Sequence, residues 1–210
     1  MGASHRPHSI RRRLPLLSSS KREGPVGGLI LSGHTYVFDL ETKRLASDVG
    51  GWSHIDRMGL AAAILFDVEE SNFIRFTEDD ARRLIEHILD AREIIGYNVL
   101  RFDYEVLRPY GLISGKELKA KTTDLMIHIQ RELGFRLRLD NLAEATLQQQ
   151  KSGDGVMSVE WYKAGEIEKV LNYCEQDVRV THKLWEAGKI KGHVNYFDKN
   201  RNIRKVMVSW

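Results

Sequence analysis

Five residues of this chain have the types and spacings to do chemistry together. Asp39 and Glu41, in "YVFDLET", stand two positions apart at the end of an apolar run. In a strand, such residues point to the same face, so two carboxylates meet side by side. Like charges that close repel and raise one another's pKa unless a cation lies between them. Asp103, in "GYNVLRFDYEVL", opens a helix five residues after Asn98, which ends a short apolar strand. Tyr173 and Asp177, in "NYCEQDVRVTHKL", are four residues apart and share a helix face. Val170, Leu171, Val178 and Leu184 mark much of that helix as buried, and a carboxylate near a buried face needs a partner or a metal. Four carboxylates from three elements suit hard divalent cations such as Mg²⁺ or Mn²⁺. Two such ions about 3.5–4 Å apart stabilise the attacking and leaving oxygens of an in-line phosphoryl transfer. The Tyr173 hydroxyl can orient, or help deprotonate, an attacking water.

Each piece alone is ordinary: paired acids at strand ends are mostly solvated, Tyr173 and Asp177 make a common helix pair, and Asn98 is a turn residue. The ordered set, in strand, loop-to-helix and helix contexts, is what carries meaning. The elements that must position it are legible. "HTYVFDLET", "GLAAAILFDVE" and "NFIRFT" read as three strands with short links, an antiparallel meander. "TEDDARRLIEHILDA" is an amphipathic helix with Leu84, Ile85, Ile88 and Leu89 on one face and a capping box from Thr77 to Asp80. "EIIGYN" is a strand, and "FDYEVLRPYG" a short helix stopped by Pro109 and Gly111. "AKTTDLMIHIQRELG" is a strand end running into a helix, "LDNLAEATL" a helix and "KSGDG" a loop. Helices follow over 159–163 and 166–187, and a terminal hairpin over 190–210. This order gives an α/β domain with a mixed central sheet flanked by helices. Ligands of such sheets collect at the carboxyl ends of the strands, where Asp39, Glu41 and Asn98 all lie.

The 210 residues are 42% hydrophobic and 29% charged, a globular composition with no run long enough to span a bilayer. Cys174 is the only cysteine, which rules out an internal disulfide and a CxxC metal knuckle and points to a reducing, cytoplasmic setting. The eight histidines offer no HxxxH or HxH pair for zinc. Net charge is +3, yet residues 1–29 hold six basic residues and one acid, so +5, which leaves −2 for the rest. That segment reads as a disordered basic arm, able to bind phosphates or to serve as a solubilising tail. Its Arg- and Ser-rich, acid-poor character also resembles an organellar transit peptide. Arg131, Arg136 and Arg138 form a basic face that could touch a phosphate backbone or simply be solvated. Trp161, Tyr162 and Trp185 are expected in the core, His182 at the surface or in packing, and Cys174 as a small buried residue off the face of Tyr173 and Asp177.

"FDLET", "GYNVLRFDYEVL" and "YCEQD" resemble, in order, the three motifs of the DEDD 3′–5′ exonucleases of the ribonuclease H-like superfamily. Tyrosine four positions before the last aspartate resembles the tyrosine branch; the histidine branch would use the position of Asn172. The motifs are similar to those of the proofreading domains of family B DNA polymerases. "KSGDG" and the terminal hairpin look closer to bacterial helicase-associated predicted exonucleases. The resemblance spans residues 34–187, and the residues outside it are too few for a polymerase domain. It implies a ribonuclease H-like fold, two divalent ions, and Asp39, Glu41, Asp103 and Asp177 as their ligands, with Asp39 bridging. It further implies Tyr173 positioning the water, Leu40 and Thr42 bordering the terminal nucleotide, and Asn98 and Phe102 near the last bases. Asp124 falls where related domains often carry a supporting acid. The implied partners are single-stranded DNA or RNA 3′ ends and a helicase or repair assembly. The competing expectations are a weakly or non-catalytic nucleic-acid-binding module and a structure-selective endonuclease on the same fold.

Overall fold

The computed structural model describes residues 1–2, 33–149 and 155–210. The basic arm expected over 1–29, Met1 and Gly2 apart, and the "KSGDG" loop, apart from Gly155, lie outside the described residues. The chain divides into two units, Met1–Ile30 and Leu31–Trp210, and the second contains the sheet, the helices and the acids.

Five strands form one sheet in the order β3-β2-β1-β4-β5. β1 (Thr35–Thr42), β2 (Leu60–Asp67) and β3 (Asn72–Thr77) are the expected antiparallel meander. β4 (Glu93–Gly96) then joins β1 in parallel, and β5 (Thr122–Asp124) joins β4 in parallel. The mixed α/β architecture read from the sequence is therefore the one observed. β1 is central and covered on both faces, which is why it is almost continuously apolar up to Phe38. Its even residues, Tyr36, Phe38 and Leu40, pack against α1 (Ala81–Asp90) and α2 (Asp103–Leu107) through Leu84, Ile88, Tyr104 and Leu107. Its odd residue Val37 packs on the other face against Val170, Leu171 and Val178 of α7 (Ile167–Lys191). The period of two then carries Asp39 and Glu41 onto the α7 side.

The remaining helices are α3 (Lys116–Ala120), α4 (Leu125–Leu133), α5 (Leu139–Leu147) and α6 (Gly155–Lys163). β6 (His193–Phe197) and β7 (Ile203–Met207) pair antiparallel as a separate two-stranded sheet. Among the described residues, no helix is long and apolar enough to cross a membrane.

Several local readings need correction. α7 runs on to Lys191, where Gly192 caps it with a left-handed backbone, and α6 starts at Gly155. α3 and two 3-10 turns, Ala46–Val49 and Trp52–Arg57, were not anticipated. Leu89 is 49% exposed, although its neighbour Ile88 in the same last turn of α1 is fully buried. The Thr77–Asp80 capping box is present, but it caps the 3-10 turn Glu78–Asp80 that precedes α1. Trp185 is buried as expected, Trp161 and Tyr162 are half-buried, and His182 packs against Phe66 at 4.6 Å between ring centroids.

Gly96 ends β4 where the chain turns toward Asp103. A Cβ there would stand 2.3 Å from Val99 Cγ1 and 2.9 Å from the Phe38 carbonyl oxygen. Both belong to the packed core, and one neighbour is main chain that cannot swing away. Gly96→Ala should therefore lower stability by about 1–3 kcal/mol, read as a shift of the urea midpoint with unchanged slope.

Candidate active site

The acids converge where the sheet pairing of β1 runs out. β4 accompanies β1 only from Thr35 to Phe38. Two residues further on, the main-chain N–H of Leu40 donates to Asp103 Oδ1 at 3.2 Å. Asp103 thus takes up a strand N–H beyond the end of the paired β4 segment, and it is 1% exposed at the start of α2. On the β2 side the register slips between Glu41 and Thr42. Bulges of this kind recur next to functional sites because they re-aim the strand end.

Asp39, Glu41 and Asp177 each present one carboxylate oxygen, all within 4.8 Å of one another. α7 supplies Asp177 and, one turn earlier, Tyr173, whose ring meets Trp161 edge-on at 6.0 Å. Cys174 is fully buried, and its thiol donates to the Asp39 main-chain oxygen at 3.3 Å. The sequence placed Cys174 off the face of Tyr173 and Asp177 and gave no sign of this contact, which closes the seam between α7 and β1. Burial and the surrounding carboxylates push the thiol up, so it stays protonated and donates.

The loop from β4 to α2 is organised by Asp124, at the end of β5. Its carboxylate accepts from the main-chain N–H groups of Asn98 at 2.9 Å and Leu100 at 3.1 Å. It also caps α4 by accepting from Met126 and Ile127 at 3.1 and 3.3 Å. Asn98 turns the chain with φ +72°, a conformation asparagine tolerates. Its Oδ1 accepts from Arg136 at 2.7 Å. Leu40, Thr42 and Phe102 line an open cleft of about 590 Å³ over the acids. Asn98 is not among the lining residues; it shapes the loop behind them. Trp52, Met58 and Arg138 also line the cleft. The first two lie on a connection that has no periodicity, and the Gly50-Gly51 pair before Trp52 was the only local signal.

Burial is the largest influence on the shifted acids of the site, Asp39, Glu41 and Asp103. It drives Asp39 well above the usual carboxylate range, and Asp103, Asp177 and Glu41 add repulsion. Burial likewise lifts Glu41 to about 8; the wholly buried Ser158 hydroxyl opposes this without reaching full hydrogen-bond geometry. Asp103 is also pushed up to about 8 by burial, with Asp124 adding repulsion and two main-chain N–H groups opposing it. Tyr173 is raised by burial and then by Asp177, Glu41 and Asp39, so its phenol keeps its proton. At neutral pH the phenol is therefore a donor and not a base.

Clustered, desolvated carboxylate oxygens with no thiolate or imidazole donor fit a hard divalent cation. Asp39, Glu41 and Asp177 would hold one, with Asp103 alongside. A second cluster, His34, Asp67 and Glu69, lies at the other end of β1. There His34 Nδ1 meets Asp67 at 2.5 Å, while Glu69 accepts from Thr35 N and pairs with Arg92, so its oxygens are already engaged.

These shifts predict how stability follows pH. A carboxylate raised on folding keeps a proton that the unfolded chain releases near its ordinary value, 4.5 for glutamate. Between that value and about 8 the folded state binds more protons, so metal-free stability falls as pH rises through that range. Melting temperature in EDTA should fall from about pH 6 to about pH 8, and added Mg²⁺ should raise it more at the higher pH. Calorimetry at both pH values checks this.

A family model described as the RNase_H superfamily matches residues 36–188, from β1 through nearly all of α7. Among solved structures, the family B DNA polymerase from the hyperthermophilic archaeon Pyrobaculum calidifontis is similar in fold, with TM-score 0.57 and 19% identity. The similarity covers 74% of this chain and 24% of the polymerase, so the chain spans about a quarter of that protein's length. No curated protein matches the sequence. The family match spans the strand, loop and helix that carry all four acids, and on it the chain belongs to the RNase_H superfamily.

Proposed function

We propose that this protein is a divalent-metal-dependent 3′–5′ exonuclease that hydrolyses phosphodiester bonds at single-stranded nucleic acid ends and releases nucleoside monophosphates. The observation that carries the reading is the meeting of Asp39, Glu41 and Asp177, with Asp103 bound to the intervening strand and Tyr173 one turn from Asp177. The 3′–5′ direction and the tyrosine-branch assignment rest on the resemblance of the three motifs.

Bound divalent ions would supply the charge stabilisation that an in-line phosphoryl transfer needs. The chain's own residues do the rest. Asp39 and Glu41, raised by burial, would ionise at the strand end when a cation is bound and hold it there. Tyr173, kept protonated by burial and carboxylates, donates to and aims the attacking water. The water oxygen bonds to phosphorus as the bond to O3′ breaks; the water gives up its proton to solvent, and a proton from solvent neutralises the leaving oxygen. Leu40, Thr42 and Phe102 form the cleft wall against which the terminal nucleotide rests.

Full-length protein incubated with 5′-labelled single-stranded DNA and RNA in Mn²⁺ should give a ladder that shortens stepwise and vanishes in EDTA. The faster polymer identifies the substrate. A circular single strand should survive, since it has no end; its cleavage would point to an endonuclease. Asp39→Ala should lose activity by at least about 100-fold, because removing groups that merely support a metal ligand already costs 10–100-fold. Retained full activity in this variant would refute the proposal. Salt-sensitive binding without any turnover would favour a binding module.

Tyr173→Phe separates orientation from substrate binding. It removes the hydroxyl and keeps the ring against Trp161, so kcat should fall by about 10²-fold or more with KM nearly unchanged. Steady-state kinetics on a labelled oligonucleotide checks the split.

A further inference from the structure

Three of the acids each have a neutral donor beside them. Asp103 accepts from the Leu40 main-chain N–H at 3.2 Å. Asp39 lies beside the Cys174 thiol, with Sγ 3.8 Å from Oδ2. Glu41 is 8% exposed, and the donor beside its carboxylate is the hydroxyl of Ser158, on α6. The first two donors are engaged. Ser158 is wholly buried, yet its Oγ has no partner of full hydrogen-bond geometry. Buried hydroxyls are nearly always paired, so an orphan calls for a reason. Among the described residues the other buried orphan is Asn195 Oδ1, on β6, and the amide nitrogen of that side chain does reach Ala145 O. Ser158 is the one that stands beside a candidate metal ligand.

α6 holds this hydroxyl at a fixed point. Val159, the next residue, is 1% exposed. The three residues that end the helix are each tied to a different neighbour of the site. Trp161 meets the Tyr173 ring edge-on at 6.0 Å. The Tyr162 ring lies under Lys43, with Nζ 5.4 Å from its centroid, and Lys163 pairs with Asp48 at 3.0 Å. The helix is thus pinned to α7, to the chain just past β1 and to the first 3-10 turn, and it cannot follow a carboxylate that moves. The longer Glu41 side chain is the one that rotates. Asp177 and Asp103 repel its ionised carboxylate, and ordering such a side chain costs rotamer freedom. A carboxylate has two oxygens, so it can serve an ion and still accept from a hydroxyl.

We propose that Ser158 is the positioning residue for Glu41: its hydroxyl donates to the Glu41 carboxylate and holds it in the orientation that ligates a divalent ion. The inference deepens the proposed function and rests on its metal site, not on the direction or the polymer of the strand. α6 then serves the site twice, through Ser158 at Glu41 and through Trp161 at the Tyr173 ring.

The test uses the full chain without nucleic acid and Mn²⁺ as the probe, with free ion read from its electron paramagnetic resonance signal. Ser158→Ala should weaken Mn²⁺ binding by about 10–100-fold, the usual cost of losing a group that supports a metal ligand. Ser158→Thr keeps the hydroxyl and should recover most of the affinity. In EDTA the melting temperature of Ser158→Ala should be no lower than that of the unsubstituted protein, because the hydroxyl removed was buried without a partner. Unchanged affinity in Ser158→Ala, an equal loss in Ser158→Thr, or no Mn²⁺ binding by the unsubstituted protein would overturn the proposal. Lost affinity together with a lower melting temperature in EDTA would also overturn it, leaving Ser158 a packing residue. Strand shortening measured in Mn²⁺ separates this inference from the exonuclease reading. Ser158-dependent Mn²⁺ binding without shortening defeats the exonuclease and keeps the positioning role. Shortening with Mn²⁺ affinity indifferent to Ser158→Ala does the reverse.

Discussion

The burial of carboxylates at the end of β1, the strand covered on both faces, governs everything around the site. Loss of water is the largest influence on Asp39, Glu41 and Asp103 alike, ahead of their mutual repulsion. The groups that ease it are neutral donors: the Leu40 N–H toward Asp103, the Cys174 thiol toward Asp39 and the Ser158 hydroxyl beside Glu41. A lysine in any of those three places would discharge the cluster and compete with a divalent ion for the same oxygens. Neutral donors lower the cost of ionising the buried acids without competing for the oxygens a cation would bind. Ionising the acids is therefore costly by itself and is eased by a cation, a recurring trade between stability and function.

The scaffold answers this tension with rigidity in the layer behind the acids. Asp124 draws four main-chain N–H groups from two elements into one buried carboxylate, fixing the loop that delivers Asp103. Gly96 permits the tight approach of that loop to β1, where any side chain would meet Val99 and the Phe38 carbonyl. On the other face, Ala61 and Ala62 of β2 both pack toward α7 around the register slip, and their short side chains let the helix lie close. The acids thus hang from three elements whose positions are fixed by neutral packing and main-chain hydrogen bonds, independent of the charges themselves.

The sheet and the acids were legible because each rests on a short-range rule. Apolar, β-branched and aromatic runs bounded by turn formers gave β1 to β3, and the strand period of two placed Asp39 and Glu41 together. The four-residue spacing put Tyr173 and Asp177 on one face of α7. What escaped depends on contacts between distant segments or on irregular backbone. Nothing local distinguishes Asn98 as a residue that lines a cleft from Asn98 as a loop former held by Arg136 and Asp124. Cys174 touches Asp39 only because α7 crosses β1 at that point. Residues 43–59 form 3-10 turns, which have no amphipathic period, so neither the Asp48–Lys163 tie nor the exposure of Trp52 could be read from pattern. Leu89 shows the opposite failure, a residue with the right period that the packing leaves exposed beside the buried Ile88.

The phenol of Tyr173 shows how one environment assigns different tasks to neighbouring groups. Burial raises the acids and the tyrosine together, but the consequences diverge. A raised carboxylate remains able to ionise once a cation is near, since the cation reverses the field it feels. A raised phenol starts from a much higher value and keeps its proton across the neutral range, leaving it a fixed donor. Asp177, one turn away, and Trp161, edge-on to the ring, hold it in orientation. Charge therefore resides in the carboxylates and direction in the neutral side chains. The same division extends up the cleft wall, where Phe102 and Trp52 present uncharged ring surface above an anionic floor.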